Sequence, residues 1–167
     1  MFAEGFIAEH IFEILGLFVT IGGIWLVVTQ LRETRRATEV EAILGLYSKY
    51  DDLWEDFLYI GKLIWTEKWE RMSSKEAFEY INSSPKRRKT YSRVLGFGEA
   101  LGLLVNRNSI DFKVAYQFAG TAFSQDFRRV EKTISQERIE RNFPEVWDMY
   151  EWLALEIEEY AESLSKN

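Results

Sequence analysis

Two hydrophobic patterns divide the chain. From Ile14 to Val28 it reads ILGLFVTIGGIWLVV, fifteen residues without a charge. Widened to Ile11–Thr29, the mean hydropathy is still roughly 2.1 on a transfer-type scale. A helix of about 20 residues crosses the ~30 Å hydrocarbon core of a bilayer, and Ile7 to Leu31 supplies that length. The pattern predicts a single N-terminal transmembrane helix with Glu9 and Glu13 at headgroup level; a buried core helix is the competing reading of the same run. Beyond residue 31 the apolar positions recur in steps of three and four, the mark of helices packed on a core.

Five further helical stretches follow from that periodicity and from local stop and start signals. Glu33 to about Lys49 is expected to continue the anchor helix, because nothing there interrupts it. A stretch over residues 51–71 places Trp54, Phe57, Leu58, Gly61, Ile64 and Trp65 on one face. Ser73 followed three residues later by Glu76 reads as a capping box for a short helix to Asn82. Ser84-Pro85 opens a helix to about Asn106, with proline in the first turn where its missing N–H costs nothing. Asp111 caps a helix to roughly Ile134, and Pro144 starts a last one to about Ser163. Strand signals are lacking: the prolines are Pro85 and Pro144, and neither Asn-Gly nor Asp-Gly occurs. The expected fold is all-α. An anchor helix, residues 1–31, continues into a cytoplasmic antiparallel helical bundle, residues 32–167, with short connections between helices.

Charge turns this pattern into a topology. The 167 residues carry 21 Lys+Arg against 27 Asp+Glu, a net −6. Residues 1–31 hold three of the acids (Glu4, Glu9, Glu13) and no base, whereas Arg32, Arg35 and Arg36 follow the apolar run at once. The positive-inside rule then puts the N-terminus outside and the rest in the cytoplasm. An acidic n-region and the following TQLRETRRA do not fit a cleaved signal peptide, so an uncleaved signal anchor is expected. The acidic balance speaks against a dedicated nucleic-acid binder.

Within the anchor, Glu9, Glu13, Gly16, Thr20, Gly23, Val27 and Gln30 recur at alternating steps of four and three and so form one stripe. Small residues let helix backbones approach, and polar groups in lipid need partners. The stripe reads as a self-association face through Glu13, Gly16, Thr20, Gly23, Val27 and Gln30. A chain with one span can pack it only against another chain.

Candidate chemistry is sparse. The chain has no cysteine and one histidine, His10. This excludes thiolate metal sites, cysteine nucleophiles and any mechanism that needs two imidazoles. No phosphate-binding loop or GxSxG elbow occurs. The acid clusters Asp51, Asp52, Glu55, Asp56 and Glu156, Glu158, Glu159, Glu162 read as solvated helix faces. No catalytic residue, metal site or cofactor is expected. Aromatic residues make up 16% of the chain, and most sit at helical spacings that suit core filling; Trp69 or Tyr59 could instead stand at a membrane or subunit interface. The basic run Lys86-Arg87-Arg88-Lys89 is the anomaly. It occupies the first turn of a helix, where the macrodipole disfavours cations, so lipid headgroups, a partner or the protein's own acids must offset it. Together with Arg32, Arg35 and Arg36, it is the candidate lipid- or partner-binding surface.

Arg93-Val-Leu-Gly-Phe-Gly-Glu99-Ala-Leu-Gly102-Leu-Leu, Ile110-Asp111, Tyr116-x-Phe118 and the stretch from Trp147 to Leu153 resemble an uncharacterised prokaryotic family of membrane-anchored helical proteins, a domain of unknown function. The resemblance implies the helical architecture and no catalytic residues. Two functional classes fit the residues. One is a non-enzymatic single-pass membrane protein, a homo-oligomer that serves as a scaffold or encloses a pore, as membrane-acting defence effectors do. The other is a membrane-tethered regulatory module that binds a cytoplasmic protein, lipid or nucleic acid through its basic patch, nucleic acid being the least favoured of these.

Overall fold

A computed structural model describes the backbone of residues 2–166 and the side chains of residues 23–166. All six elements are helices, and no strand occurs among the described residues. They are α1 (Phe2–Ile64), α2 (Glu67–Arg71), α3 (Ser74–Asn82), α4 (Pro85–Asn106), α5 (Phe112–Arg141) and α6 (Asp148–Ser165). Internal contacts divide the chain into two compact units, Met1–Glu41 and Ala42–Asn167. Among the described residues no helix is long and apolar enough to cross a membrane. Most of the expected span, residues 7–31, lies outside the described side chains.

In the first unit, Thr29, Thr34 and Thr38 close their hydroxyls on the helix itself. Thr29 Oγ1 donates to the Trp25 carbonyl at 2.9 Å, and Thr34 Oγ1 does the same to Gln30. A hydroxyl satisfied four residues back needs no external partner.

In the second unit, the starts expected for α3, α4 and α5 form as local chemistry requires, the start expected at Asp51 is absent, and three boundaries move. The expected break at residue 50 is absent, because Tyr50-Asp51 offers no competing backbone conformation. Helix α1 instead stops at Ile64, where Thr66 takes an extended conformation and its Oγ1 accepts from Trp69 N at 3.2 Å to cap α2. Ser73 and Glu76 form the capping box reciprocally, Ser73 N donating to Glu76 Oε2 at 2.8 Å. That bond holds the Glu76 carboxyl below its ordinary range. Ser84 and Asp111 cap α4 and α5 through Arg87 N and Lys113 N. Helix α5 runs past Ile134 to Arg141 and contains a kink at Gly120, whose φ of +59° and ψ of −169° suit glycine alone. The last helix begins at Asp148 rather than Pro144, because Trp147 sits in the left-handed region at φ +63° and ends a turn there.

Helix α6 packs on α4 and α5, and α3 packs on α5. One core cluster gathers Ile60, Ile64, Trp69, Ile81, Tyr91, Leu95, Phe127, Ile134 and Tyr150; the other gathers Leu53, Phe97, Leu101, Val105, Ile110, Leu153 and Ile157. The buried stripe of residues 51–64 is thus Leu53, Ile60 and Ile64, with Phe57 partly covered. Trp54, Leu58 and Trp65, expected inside, are exposed. Both stripes are apolar, so periodicity alone could not choose between them. Trp69 is buried in the core rather than at an interface.

The contact between α4 and α6 depends on two glycines one turn apart. A Cβ on Gly98 would lie 2.7 Å from the Tyr150 ring, and one on Gly102 would lie 2.1 Å from the Met149 carbonyl oxygen. Between them, Glu99 Oε2 accepts from Tyr150 N at 3.0 Å. Helix α6 has no side-chain cap of its own at Trp147, so a carboxylate from α4 takes one of its free N-terminal donors. The segment from Gly98 to Gly102 is therefore a helix-docking device.

Candidate functional site

The basic run begins where α4 begins. No acid occupies the first turn of α4, and aromatic rings and carbonyls hold the cations in place. Lys86 Nζ lies 5.0 Å from the centre of the Tyr59 ring, and the Arg87 guanidinium lies 4.1 Å from that of Tyr80. Arg87 also donates to the Tyr80 carbonyl at 2.9 Å and to Ser83 Oγ at 2.7 Å. Arg88 and Lys89 are exposed.

Two lysines that the linear run does not contain join this group. Lys68, on α2, lies 5.2 Å from the centre of the same Tyr80 ring. Lys62, in the last turn of α1, shares with Lys86 an open cavity of about 330 Å³ that Glu55, Asp56, Leu58, Tyr59 and Thr90 also line. Asp56 is engaged by Arg93 at 2.7 Å. Among the described residues none of Lys62, Lys68, Lys86, Arg87, Arg88 and Lys89 has a carboxylate partner. The arginines of α5 differ: Arg128 pairs with Glu158, Arg129 with Glu70, Arg138 with Asp148 and Glu151, and Arg141 with Glu137.

Those α5 pairs build the other charged surface. A groove of about 430 Å³ between α2 and α5 is lined by Trp69, Glu70, Arg128, Arg129, Glu131, Lys132 and Ser135. Its cations are already occupied. Lys132 donates to the Met72 carbonyl at 2.8 Å and also to that of Trp69, closing the end of α2. Trp69 Nε1 donates to the Arg129 carbonyl at 2.7 Å. This surface ties the short α2 to α5.

Beside it, Trp65 Nε1 donates to Asp126 Oδ1 at 2.7 Å. Burial pushes the Asp126 carboxyl above its ordinary range, against the opposing pull of that bond and of Arg129. A raised folded-state value means that the native protein keeps this proton where the unfolded chain has lost it. Stability therefore declines as pH rises through that interval. Asp126→Asn keeps the acceptor and removes the charge. It is expected to flatten the pH slope of the urea midpoint just above the ordinary aspartate range and to stabilise the protein at neutral pH. A slope identical to that of the unchanged protein would show that Asp126 does not titrate in this way.

Deeper inside, burial and then the charge of Glu137 push the Tyr91 hydroxyl well above its ordinary range, and burial does the same to Tyr150. Both rings are neutral at any physiological pH. Glu137 is shared between Arg141 at 2.6 Å and Trp147 Nε1 at 3.0 Å. Among the described residues no group of three or more His, Asp or Glu side chains is placed to hold a metal ion.

The other sequence-derived residues stand as follows. Glu13, Gly16 and Thr20, with Glu9 and His10, lie outside the described residues. Of the stripe, Gly23, Val27 and Gln30 are exposed, and a Cβ on Gly23 would meet nothing within 4 Å. Arg32, Arg35 and Arg36 are exposed as well. Lys86 is brought together with Lys62, and Arg87 with Lys68, while Arg88 and Lys89 are exposed. The linear sequence carried no sign of that meeting beyond the single tyrosines, Tyr59 and Tyr80, that join them. Of the acids expected on solvated faces, Asp51, Asp52, Glu55, Glu156, Glu159 and Glu162 are exposed, whereas Asp56 and Glu158 are half-buried and paired with Arg93 and Arg128.

No curated protein and no solved structure matches the chain. A family profile described as "Domain of unknown function (DUF4760)" matches residues 11–157, which takes in the docking glycines, Glu99 and the basic cluster. The chain belongs to the DUF4760 family.

Proposed function

We propose that the chain is a non-enzymatic, single-pass membrane protein that self-assembles through its anchor helix and carries the bundle of residues 42–167 on the cytoplasmic side. The observation that supports this is the exposure of successive apolar residues. Ile24, Trp25, Leu26, Val27 and Val28 are each 40–68% exposed, and Leu31 is 64% exposed. Five consecutive residues at 100° steps point in every direction around a helix. A helix that packs on a core leaves only its polar side open, whereas lipid covers all sides. At about 25 cal/mol per Å², leaving such a run in water is costly, and the uncharged residues 14–22 extend it. The switch from acids before the run to Arg32, Arg35 and Arg36 after it sets the orientation. In this reading Gly16, Thr20 and Gly23 bring neighbouring anchors close, and the assembly is a scaffold or the wall of a pore.

The test is direct. The full chain reconstituted in neutral vesicles should resist extraction at alkaline pH; release under those conditions refutes the anchor. Native mass spectrometry in detergent should show an oligomer that Gly16→Leu with Gly23→Leu shifts toward monomer. An unchanged mass distribution refutes assembly through the stripe. Ion flux from the same proteoliposomes separates a pore from a scaffold.

A further inference from the structure

We infer that Leu44, Tyr47, Trp54, Leu58 and Trp65 form a seam on which a second copy of the chain packs, parallel and in register, as an interface separate from the anchor stripe. Within residues 42–167, α1 carries two apolar stripes. Leu46, Leu53, Ile60 and Ile64 are buried in the chain's own bundle. Leu44, Tyr47, Trp54, Leu58 and Trp65 lie on another side, and each is 44–62% exposed. A helix that serves one core keeps its remaining faces polar. With Asp51 and Gly61, the exposed residues fall at alternating steps of three and four over three heptads, about 32 Å of helix. That is the period of a seam between two supercoiled helices. The helical path reaches Trp65, whose N donates to the Gly61 carbonyl at 3.0 Å.

The large side chains of the seam are already held in place. Tyr47 stands edge-on to Phe118 at 4.9 Å, Trp54 lies 5.8 Å from the Tyr50 ring, and Trp65 Nε1 is bound to Asp126. Rings steadied in this way lose little freedom on association, and Trp and Tyr dominate the energetic centres of interfaces. A Cβ on Gly61 would meet nothing within 4 Å, which leaves room for a partner between Leu58 and Trp65. Covering the five side chains removes roughly 500 Å² per copy, about 1,000 Å² in all, the lower bound of a specific interface.

A helix suits this face better than lipid does. Asp51 lies within the stripe, and exposed Ser48, Glu55 and Lys62 border it at steps of seven, whereas Ile24 to Val28 are exposed on every side. The register points to a second copy. Counting back in sevens from Leu44 reaches Ala37, Gln30, Gly23 and Gly16, the last three being members of the anchor's self-association stripe. Two identical helices that supercoil keep one seven-residue register along their length, and an unrelated partner gives no reason for the match. For that register the pairing rests on the anchor's self-association; the exposed stripe itself belongs to residues 42–167. Pairing in register brings the two copies of Asp51 together. A polar residue at one such position fixes register and strand number at a cost in stability.

The chain has no cysteine, so single cysteines report the pairing in the full chain, purified in neutral detergent and oxidised. A disulfide forms only where two Cβ atoms come close. Asp51→Cys and Leu58→Cys, in the seam, are expected to cross-link at least about fivefold faster than Lys49→Cys and Asp52→Cys outside it. Adding Trp54→Glu/Leu58→Glu should lower the Asp51→Cys rate to that of Lys49→Cys, with the melting temperature reporting whether the fold is intact. Asp51→Asn should raise the share of oligomer in native mass spectrometry. Equal rates at all four positions, or a cross-link at residue 58 without one at residue 51, overturn the inference. An unchanged Asp51→Cys rate in intact Trp54→Glu/Leu58→Glu does so too, as does a smaller share of oligomer in Asp51→Asn. Failure of the anchor stripe alone appears differently: Gly16→Leu with Gly23→Leu leaves the native mass distribution unchanged, while the selective cross-links at residues 51 and 58 remain.

Discussion

Gly102→Ala is expected to destabilise the protein by about 1–3 kcal/mol, whereas Gly96→Ala on the same helix stabilises it. The two glycines lie six residues apart in α4, and both sites are helical, so the intrinsic preference for alanine, about 1 kcal/mol, is the same at each. Their surroundings differ. A Cβ at Gly96 meets nothing within 4 Å, while one at Gly102 would lie 2.1 Å from the Met149 carbonyl oxygen and 2.6 Å from its carbon. Both of those atoms are backbone, and no rotamer change can move them. Relief requires α6 to withdraw, which loosens Leu101 and Leu153 in the core and lengthens the bond from Tyr150 N to Glu99. Overpacking of this kind costs about 1–3 kcal/mol after relaxation, and the loss of an N-terminal cap about 1 kcal/mol more. Urea or thermal unfolding of the two variants gives opposite signs if α4 and α6 dock as described. Equal shifts would mean that Met149 does not lie against Gly102.

Trp69→Ala is the most damaging single truncation, with an expected loss of about 3–5 kcal/mol. That is a large part of the roughly 5–15 kcal/mol that holds an ordinary domain folded. Trp69 is 1% exposed and sits among Ile64, Ile81, Val130 and Ile134. It lies in a five-residue helix, α2, which cannot hold itself together by backbone bonds alone. The indole N–H to the Arg129 carbonyl, and Lys132 on the carbonyls of Trp69 and Met72, join that helix to α5. Trp69→Phe separates the two contributions. It keeps most of the ring burial and leaves the Arg129 carbonyl without its donor, so it should cost about 1–3 kcal/mol. Near-ultraviolet circular dichroism and urea midpoints report both variants. If Trp69→Ala costs less than Trp69→Phe, the indole is not the link between α2 and α5.

Helix starts were legible because they depend on a few adjacent residues. Ser73 with Glu76, Ser84 with Pro85, and Asp111 each satisfy free backbone donors within one turn, and no distant contact is needed to place them. The core face of residues 51–64 was not legible, because Leu53 and Ile60 compete with Trp54, Leu58 and Trp65, and only the position of the neighbouring helices selects one stripe. The end of α1 was hidden too. Thr66 caps α2 with no proline or glycine to announce it, and the turn forms because Trp69 must reach the core. Of the candidate site, the run Lys86 to Lys89 was plain in the linear order. Lys62 and Lys68 were not, because their link to it passes through the rings of Tyr59 and Tyr80.

By itself the sequence determined the helical class, the absence of cysteine chemistry, the uncharged N-terminal run with its abrupt onset of positive charge, and the starts of α3, α4 and α5. All of these are fixed by composition or by residues within a turn of one another. Tertiary structure alone decided that Gly98 lies against the Tyr150 ring and Gly102 against the Met149 backbone, that Glu99 caps a helix 51 residues away in sequence, and that Lys62 meets Lys86 and Lys68 meets Arg87. Those properties depend on distances between chain segments, and such distances are set by the packing of whole helices.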